Sequence, residues 1–375
     1  MTNPRSRVAR SRRIVVKIGS RSLATDEAIF SRLAKTIASY PDRSFLVVSS
    51  GAIALGVKKL GYRGKPKEMA KLQAAAAAGQ SLLMQAYEQA FAANGLIVAQ
   101  VLLSHADLAN RARENNARAA LAALIDVPAI PVLNENDSVA TDEIRFGDND
   151  QLAAMVAPLI DADLVVLLSD VEGLLDSEGR RIPTVRDVVT EALPHIRKSE
   201  SAVGTGGMAS KVEAARRATL AGADAVVADA RRSGVLDAVL RGEDVGTLFV
   251  AARERLSAKK YWIAFTLRPR GDLVLDRGAA DAVGTRGKSV LAVGVLGVRG
   301  EFRTGDAVRL LDPTGAEIGR GLARCGAADA AAVAGKPRAD LPEKRAELSV
   351  LVHADDIVIG GQSMSEAPAA KRDTP

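Results

Sequence analysis

The sequence predicts an α/β fold with a mainly parallel central sheet sandwiched by helices, followed by a small β-rich domain at the C-terminal end. Three observations predict it. Short β-branched runs alternate with helical stretches from Ile14 to about Val250, the pattern of repeated βαβ units. Those runs are apolar almost throughout, so both faces of each strand must be covered. Beyond Leu256 the long Ala-rich stretches give way to short strands punctuated by glycine. At 375 residues the chain also exceeds one ordinary core, at roughly 100 to 200 residues per domain. The expected boundaries are a basic N-terminal tail over 1–12, a first domain over 13–256, a second over 264–361 and a disordered tail over 362–375. The charged stretch Arg253 to Lys260 reads as the linker.

Composition narrows the function classes. With 47% hydrophobic and 26% charged residues the chain is of soluble globular type, and with only 3% aromatics its core must be Ala, Val, Leu and Ile. A single cysteine, Cys325, excludes an internal disulfide and a cysteine metal cluster, and it fits a reducing cytosol. The net charge of +6 is modest, but many of the cations are arginines, which suit phosphate or carboxylate. No run approaches the roughly 20 apolar residues that cross a bilayer, and no apolar stretch behind the basic leader fits a signal peptide. A cytoplasmic protein is expected.

In chain order, strands are expected at Ile14 to Ile18, Phe45 to Ser49, Ile97 to Leu103, Ala129 to Leu133, Leu164 to Ser169 and Ala225 to Ala228. The Ala-rich stretch Lys71 to Ala93 reads as a packing helix. In the second domain strands are expected at Leu273 to Asp276, Ser289 to Val293, Val308 to Leu311 and Glu317 to Leu322. In a parallel sheet, ligands sit beyond the C-terminal ends of strands, so polar residues there carry the functional signal.

Lys17 interrupts the first apolar strand just before Gly19. It is either a cation aimed at phosphate or a lysine reaching to solvent from a strand end. The second strand runs into Ser49-Ser50-Gly51-Ala52, a small-residue turn whose amides favour an anion, though a purely structural turn fits too. The segment Asn134-Glu135-Asn136-Asp137 closes the fourth strand. A second polar cluster, Gly147-Asp148-Asn149-Asp150, opens a helix further on. Amides donate and accept while a carboxylate attracts a cation, so Asn134, Asp137 and Asn149 suit an amino acid's ammonium and carboxylate. The same residue types also serve turns and helix caps. Ser169-Asp170 reads equally as a nucleotide-edge loop or an ordinary turn. The strongest motif is Gly204-Thr205-Gly206-Gly207-Met208-Ala209-Ser210-Lys211 before a helix, a loop able to wrap phosphates with backbone amides while Lys211 adds charge. No strand precedes it, which excludes the dinucleotide fingerprint, and the Gly287-Lys288-Ser289 lookalike has Ala282 where a P-loop needs glycine.

Taken in order, these segments resemble the amino acid kinase family, and within it the branch that phosphorylates the glutamate side chain at the start of proline biosynthesis. The parts that carry the resemblance are SSGAIALG, NENDSVAT with FGDND, and GTGGMASK. The segment from Gly271 to Arg324 is similar to a PUA domain. The resemblance implies that Lys17 and Lys211 contact the phosphates of ATP and that Asp150 holds both lysines. It implies glutamate binding by Ser50, Asp137 and Asn149, with Asn134 and Asp148 nearby. It further implies nucleotide binding by Ser169, Asp170 and Thr205 to Lys211, that is Thr205, Gly206, Gly207, Met208, Ala209, Ser210 and Lys211. Ser169 and Ser210 stand where the family commonly has threonine. Also implied are Mg²⁺ held mainly through phosphates and water with no protein metal site, feedback inhibition by proline, a homo-oligomer (dimer or tetramer), and RNA contact by the PUA module. Related family members that phosphorylate N-acetylglutamate, aspartate, carbamate or uridylate are the alternatives within the enzyme class, and the NEND and FGDND clusters favour a free amino acid. An RNA-binding factor is the alternative outside it. The second domain lacks interleaved aromatic and basic residues, which weighs against that reading.

Overall fold

The computed structural model describes residues 3–26, 28–139, 149–196 and 207–360. The chain divides into two compact units, Met1–Arg255 and Leu256–Pro375.

In the first unit an eight-stranded sheet has the order β3-β4-β2-β1-β5-β7-β8-β6. The strands are β1 Arg13–Ile18, β2 Ser44–Ser49, β3 Ile97–Leu103, β4 Ala129–Glu135, β5 Leu164–Ser169, β6 Thr184–Val185, β7 Asp224–Asp229 and β8 Thr247–Phe249. The pairs from β3 through β7 are all parallel, and the one antiparallel step is β7 with β8. Both faces are buried, as the unbroken apolar runs require. Alternate residues of a strand face opposite ways, and the core splits accordingly. Val15, Leu46, Val48, Leu133, Val165 and Leu167 belong to one apolar cluster, and Ile14, Val16, Phe45, Val47, Val132 and Val166 to the other. The helices Asn149–Val156 and Met208–Ala221 pack in the first cluster, while Met69–Ala92 buries Leu83, Tyr87 and Phe91 in the second.

The stretch expected as an N-terminal tail carries arginines with buried partners. Arg5–Val8 is a short helix. The Arg5 guanidinium is buried, donating to the carbonyls of Glu243 at 3.1 Å, Val245 at 2.6 Å, Gly246 at 3.0 Å and Pro183 at 2.9 Å. Arg7 pairs with the buried Asp224. A basic run reads as solvated surface, but a planar fork of five donors can also satisfy a cluster of converging carbonyls.

The second unit contains a five-stranded sheet, order β11-β9-β12-β13-β15, and a two-stranded pair of β10 with β14. These strands are β9 Gly271–Leu275, β10 Val290–Leu291, β11 Val295–Gly300, β12 Ala307–Leu311, β13 Glu317–Leu322, β14 Val350–Val352 and β15 Ile357–Ile359. The strand expected at Ser289 to Val293 is only two residues long and turns through a 3₁₀ segment into β11. Sequence reading missed β11 because Gly294, Gly297 and Gly300 look like loop punctuation. It also missed the helices Arg277–Gly284 and Ala327–Val333. The unit has its own core, built from Leu273, Leu275, Val308, Leu310, Leu351 and neighbours, with Cys325 buried in it. The supposed linker is shortened, since Ser257 caps a helical turn at Ala258–Tyr261.

Candidate active site

Sheet register decides where Lys17 points. It follows Val16 on β1, so it lies on the same face as Val15, the face covered by the helices Asn149–Val156 and Met208–Ala221. Each of those helices carries a charged residue in its first turn, Asp150 and Lys211. The three meet there: Lys17 Nζ is 2.5 Å from Asp150 Oδ1, and Lys211 Nζ is 3.2 Å from Asp150 Oδ2. All three are buried, with Lys17 6%, Lys211 3% and Asp150 0% exposed. An isolated buried ammonium is very costly, so a snorkelling Lys17 is excluded. Burial by itself would raise the Asp150 carboxyl, but the two ammonium groups override it and hold it below the usual carboxylate range. One carboxylate thus holds two buried lysine side chains side by side.

The cluster sits beside a helix start. The helix Met208–Ala221 begins directly after Gly207, so its first amides point toward the N-terminal side, the end of a helix that favours an anion. Met208, Ala209 and Ser210 form this first turn, and Gln151 Nε2 donates to the Ser210 carbonyl at 3.2 Å. Thr205 and Gly206 lie outside the described residues. At the neighbouring strand end, Ser169 Oγ donates to Asp170 Oδ1 at 3.0 Å, and Arg21 Nη1 lies 3.0 Å from Asp170 Oδ2. Arg231 donates to the Asp170 carbonyl at 2.9 Å. Burial would raise the Asp170 carboxyl, yet Arg21 and Ser169 hold it low.

On the other side of Asp150, its neighbour Asn149 gathers three segments. Its Nδ2 donates to the Ser49 carbonyl at 2.7 Å and lies 3.0 Å from both Ser50 Oγ and Asn134 Oδ1. The turn after β2 permits this, because Gly51 has φ 103°, a left-handed conformation that costs glycine nothing. Beneath it, Tyr87 hydroxyl donates to Ser49 Oγ at 2.9 Å, and burial pushes the phenol above its ordinary range. Asn134 Nδ2 in turn donates to Gln80 Oε1 at 2.8 Å. Asp137 stands half-buried at the turn beyond β4, where burial pushes its carboxyl up to about 6 against a smaller opposing pull from Lys65. No hydrogen bond joins it to the Asn134–Asn149 group among the described residues, and Asp148 lies outside them.

Sequence reading missed Gln80 and Tyr87. Both sit in the Ala-rich helix taken as packing alone, and the only signal was a glutamine directly after Gly79 in a run of alanines. Among the described residues no group of three or more His, Cys, Asp or Glu could hold a metal ion. The buried carboxylate, Asp150, is committed to the two lysines.

The arrangement is thus a buried pair of lysines on one carboxylate next to a helix start, adjoining an amide cluster suited to a small polar acceptor. The sequence pattern of the amino acid kinase family matches residues 12–229, and that of the PUA domain matches residues 271–343. The chain is 45% identical to the glutamate 5-kinase of Myxococcus xanthus, over 95% of this chain and 98% of that protein. It is 47% identical to the glutamate 5-kinase of Geobacter metallireducens, over 83% and 87%, and 45% identical to that of Thermus thermophilus, over 88% and 92%. With the family pattern spanning more than half the chain and relatives of this similarity along nearly its full length, the chain belongs to the amino acid kinase family and carries a PUA domain behind its kinase domain.

Proposed function

We propose that the chain transfers the γ-phosphoryl group of ATP to the side-chain carboxylate of glutamate, giving L-glutamyl 5-phosphate and ADP, the first step of proline biosynthesis. The observation that carries this reading is the buried Lys17–Asp150–Lys211 cluster adjoining the Ser50, Asn134 and Asn149 amide site.

A γ-carboxylate is already ionised at neutral pH and needs no general base, so the protein's task is to position the two reactants and balance charge. In this reading Asp150 holds Lys17 and Lys211 so that both ammonium groups face the phosphates. There they meet the negative charge that grows on the transferred group and on the leaving ADP. The backbone amides of Met208 to Ser210 add fixed donors. Ser50 and Asn149 bind the acceptor, with Asn134 supporting Asn149, and Asp137 attracts its ammonium. Mg²⁺ arriving with ATP would be held mainly through the phosphates and water, with no side chain of this chain assigned to it, and would supply positive charge against the phosphoryl group. Within the same proposal, proline is a feedback inhibitor, the chain works as a homo-oligomer (dimer or tetramer), the PUA domain contacts RNA and the location is cytoplasmic. These properties rest on the family resemblance, and none of them is needed for the chemistry. No helix among the described residues is long and apolar enough to cross a membrane.

The acceptor is tested by incubating the protein with ATP, Mg²⁺ and hydroxylamine, supplying glutamate, N-acetylglutamate or aspartate in turn, and assaying the hydroxamate. Glutamate should give the product with the highest kcat/KM. ATP turnover without trapped acyl group, or preference for the acetylated acid, would overturn the proposal.

A further inference from the structure

Three amides form a chain with a fixed sense. Asn149 Nδ2 lies 3.0 Å from Asn134 Oδ1, Asn134 Nδ2 donates to Gln80 Oε1 at 2.8 Å, and the Glu135 amide also donates to Asn134 Oδ1 at 2.9 Å. An asparagine side chain presents oxygen on one side and two N–H groups on the other. Asn134 can offer its oxygen to Asn149 only while its nitrogen faces an acceptor, and Gln80 supplies that acceptor. The Gln80 end is itself costly. Its Nε2 is buried and has no hydrogen-bond partner among the described residues. Buried polar groups are normally satisfied, so one kept unmatched calls for a reason beyond stability. An apolar residue here would extend the adjacent run Ala74 to Ala78 without that penalty.

A second observation fixes where Gln80 sits. The helices Ala52–Lys59 and Met69–Ala92 cross in backbone contact. A Cβ on Gly79 would stand 1.7 Å from the Ala52 carbonyl oxygen, and one on Gly56 would stand 1.7 Å from that of Ala75. The first of these helices starts directly after Ser50 and Gly51. One close crossing therefore ties the residue next to Gly79 to the turn that carries Ser50.

We infer that Gln80 is a positioning residue for acceptor specificity: it sets the amide orientation of Asn134, and through it the orientation of Asn149 at the glutamate site. The inference rests on the proposed acceptor site. It requires that Gln80 act on acceptor binding and leave nucleotide binding alone, and that it act through Asn134.

The test uses the full-length protein and hydroxamate formation, comparing wild type, Gln80→Leu, the isosteric Gln80→Met, Asn134→Ala and the double variant Gln80→Leu/Asn134→Ala. For Gln80→Leu the expected result is a rise of at least about tenfold in KM for glutamate with KM for ATP within about twofold. In the Asn134→Ala background the same substitution should add less than about twofold, since its target is gone. Gln80→Met should behave like Gln80→Leu and serves if the leucine variant fails to fold. A purely structural glutamine would disturb both KM values together, and that outcome overturns the inference. So does an unchanged glutamate KM, or an effect that stays multiplicative without Asn134. A wild-type protein that forms no hydroxamate refutes the acceptor reading itself, so the two failures are separable.

Discussion

Lys17 and Lys211 come from a strand and a helix far apart in sequence, and one carboxylate holds them together. Asp150 lies within ion-pair distance of both, and in the proposed reaction the two ammonium groups together meet the incoming phosphate. Lys17→Ala and Lys211→Ala should each lower kcat at least about tenfold, a loss of about 1.4 kcal/mol of transition-state stabilisation. Steady-state turnover measures this, and wild-type rates in either variant would remove that lysine from the mechanism. Asp137 adds a pH signature. Its carboxyl is pushed up to about 6 by burial, so it is charged above that pH and neutral below. If it attracts the substrate ammonium, KM for glutamate should climb as pH falls through about 6, and Asp137→Asn should flatten the profile. A wild-type KM that stays flat between pH 5 and 7 would remove this role. The sign for stability is the reverse. A carboxyl raised in the folded state is held charged at a cost above about pH 6, and that cost is relieved as it protonates.

At the scale of elements, the closest contact near the site is the crossing of Ala52–Lys59 with Met69–Ala92. The substitution Gly79→Ala would force a Cβ against the Ala52 backbone, where no rotamer change can relieve it. It should cost about 1–3 kcal/mol or more, read from the denaturant midpoint, and should raise KM for glutamate more than KM for ATP. A variant with wild-type midpoint and kinetics would show that the crossing yields. Sequence could not show this contact, because helix propensity describes one helix and says nothing of how closely a second approaches. The strands were far more legible. Being buried on both faces, β1, β2, β4 and β5 must be apolar throughout, and Lys17 stands out within β1 for that reason. The tie between Lys17 and Asp150 was expected only from the family resemblance; spacing along the chain gives no hint of a 2.5 Å contact. The N-terminal helix was illegible for a related reason, since Arg5 binds carbonyls rather than any charge pattern a sequence displays.

Over the whole molecule, the described residues assigned to phosphoryl transfer and acceptor binding fall in the first unit, between Lys17 and Lys211. The second unit has its own core and its own sheets. The central claim is that a glutamate carboxylate oxygen attacks the γ-phosphorus as its bond to ADP breaks. Glutamate carrying ¹⁸O in the γ-carboxylate tests that step directly, with ATP, Mg²⁺ and hydroxylamine present. Hydroxylamine attacks the acyl carbon of the product and expels phosphate that keeps the bridging oxygen. Mass spectrometry of the released phosphate should show one ¹⁸O per phosphate, matched in amount by hydroxamate. Phosphate free of label, formed by attack of water on ATP, would contradict the account.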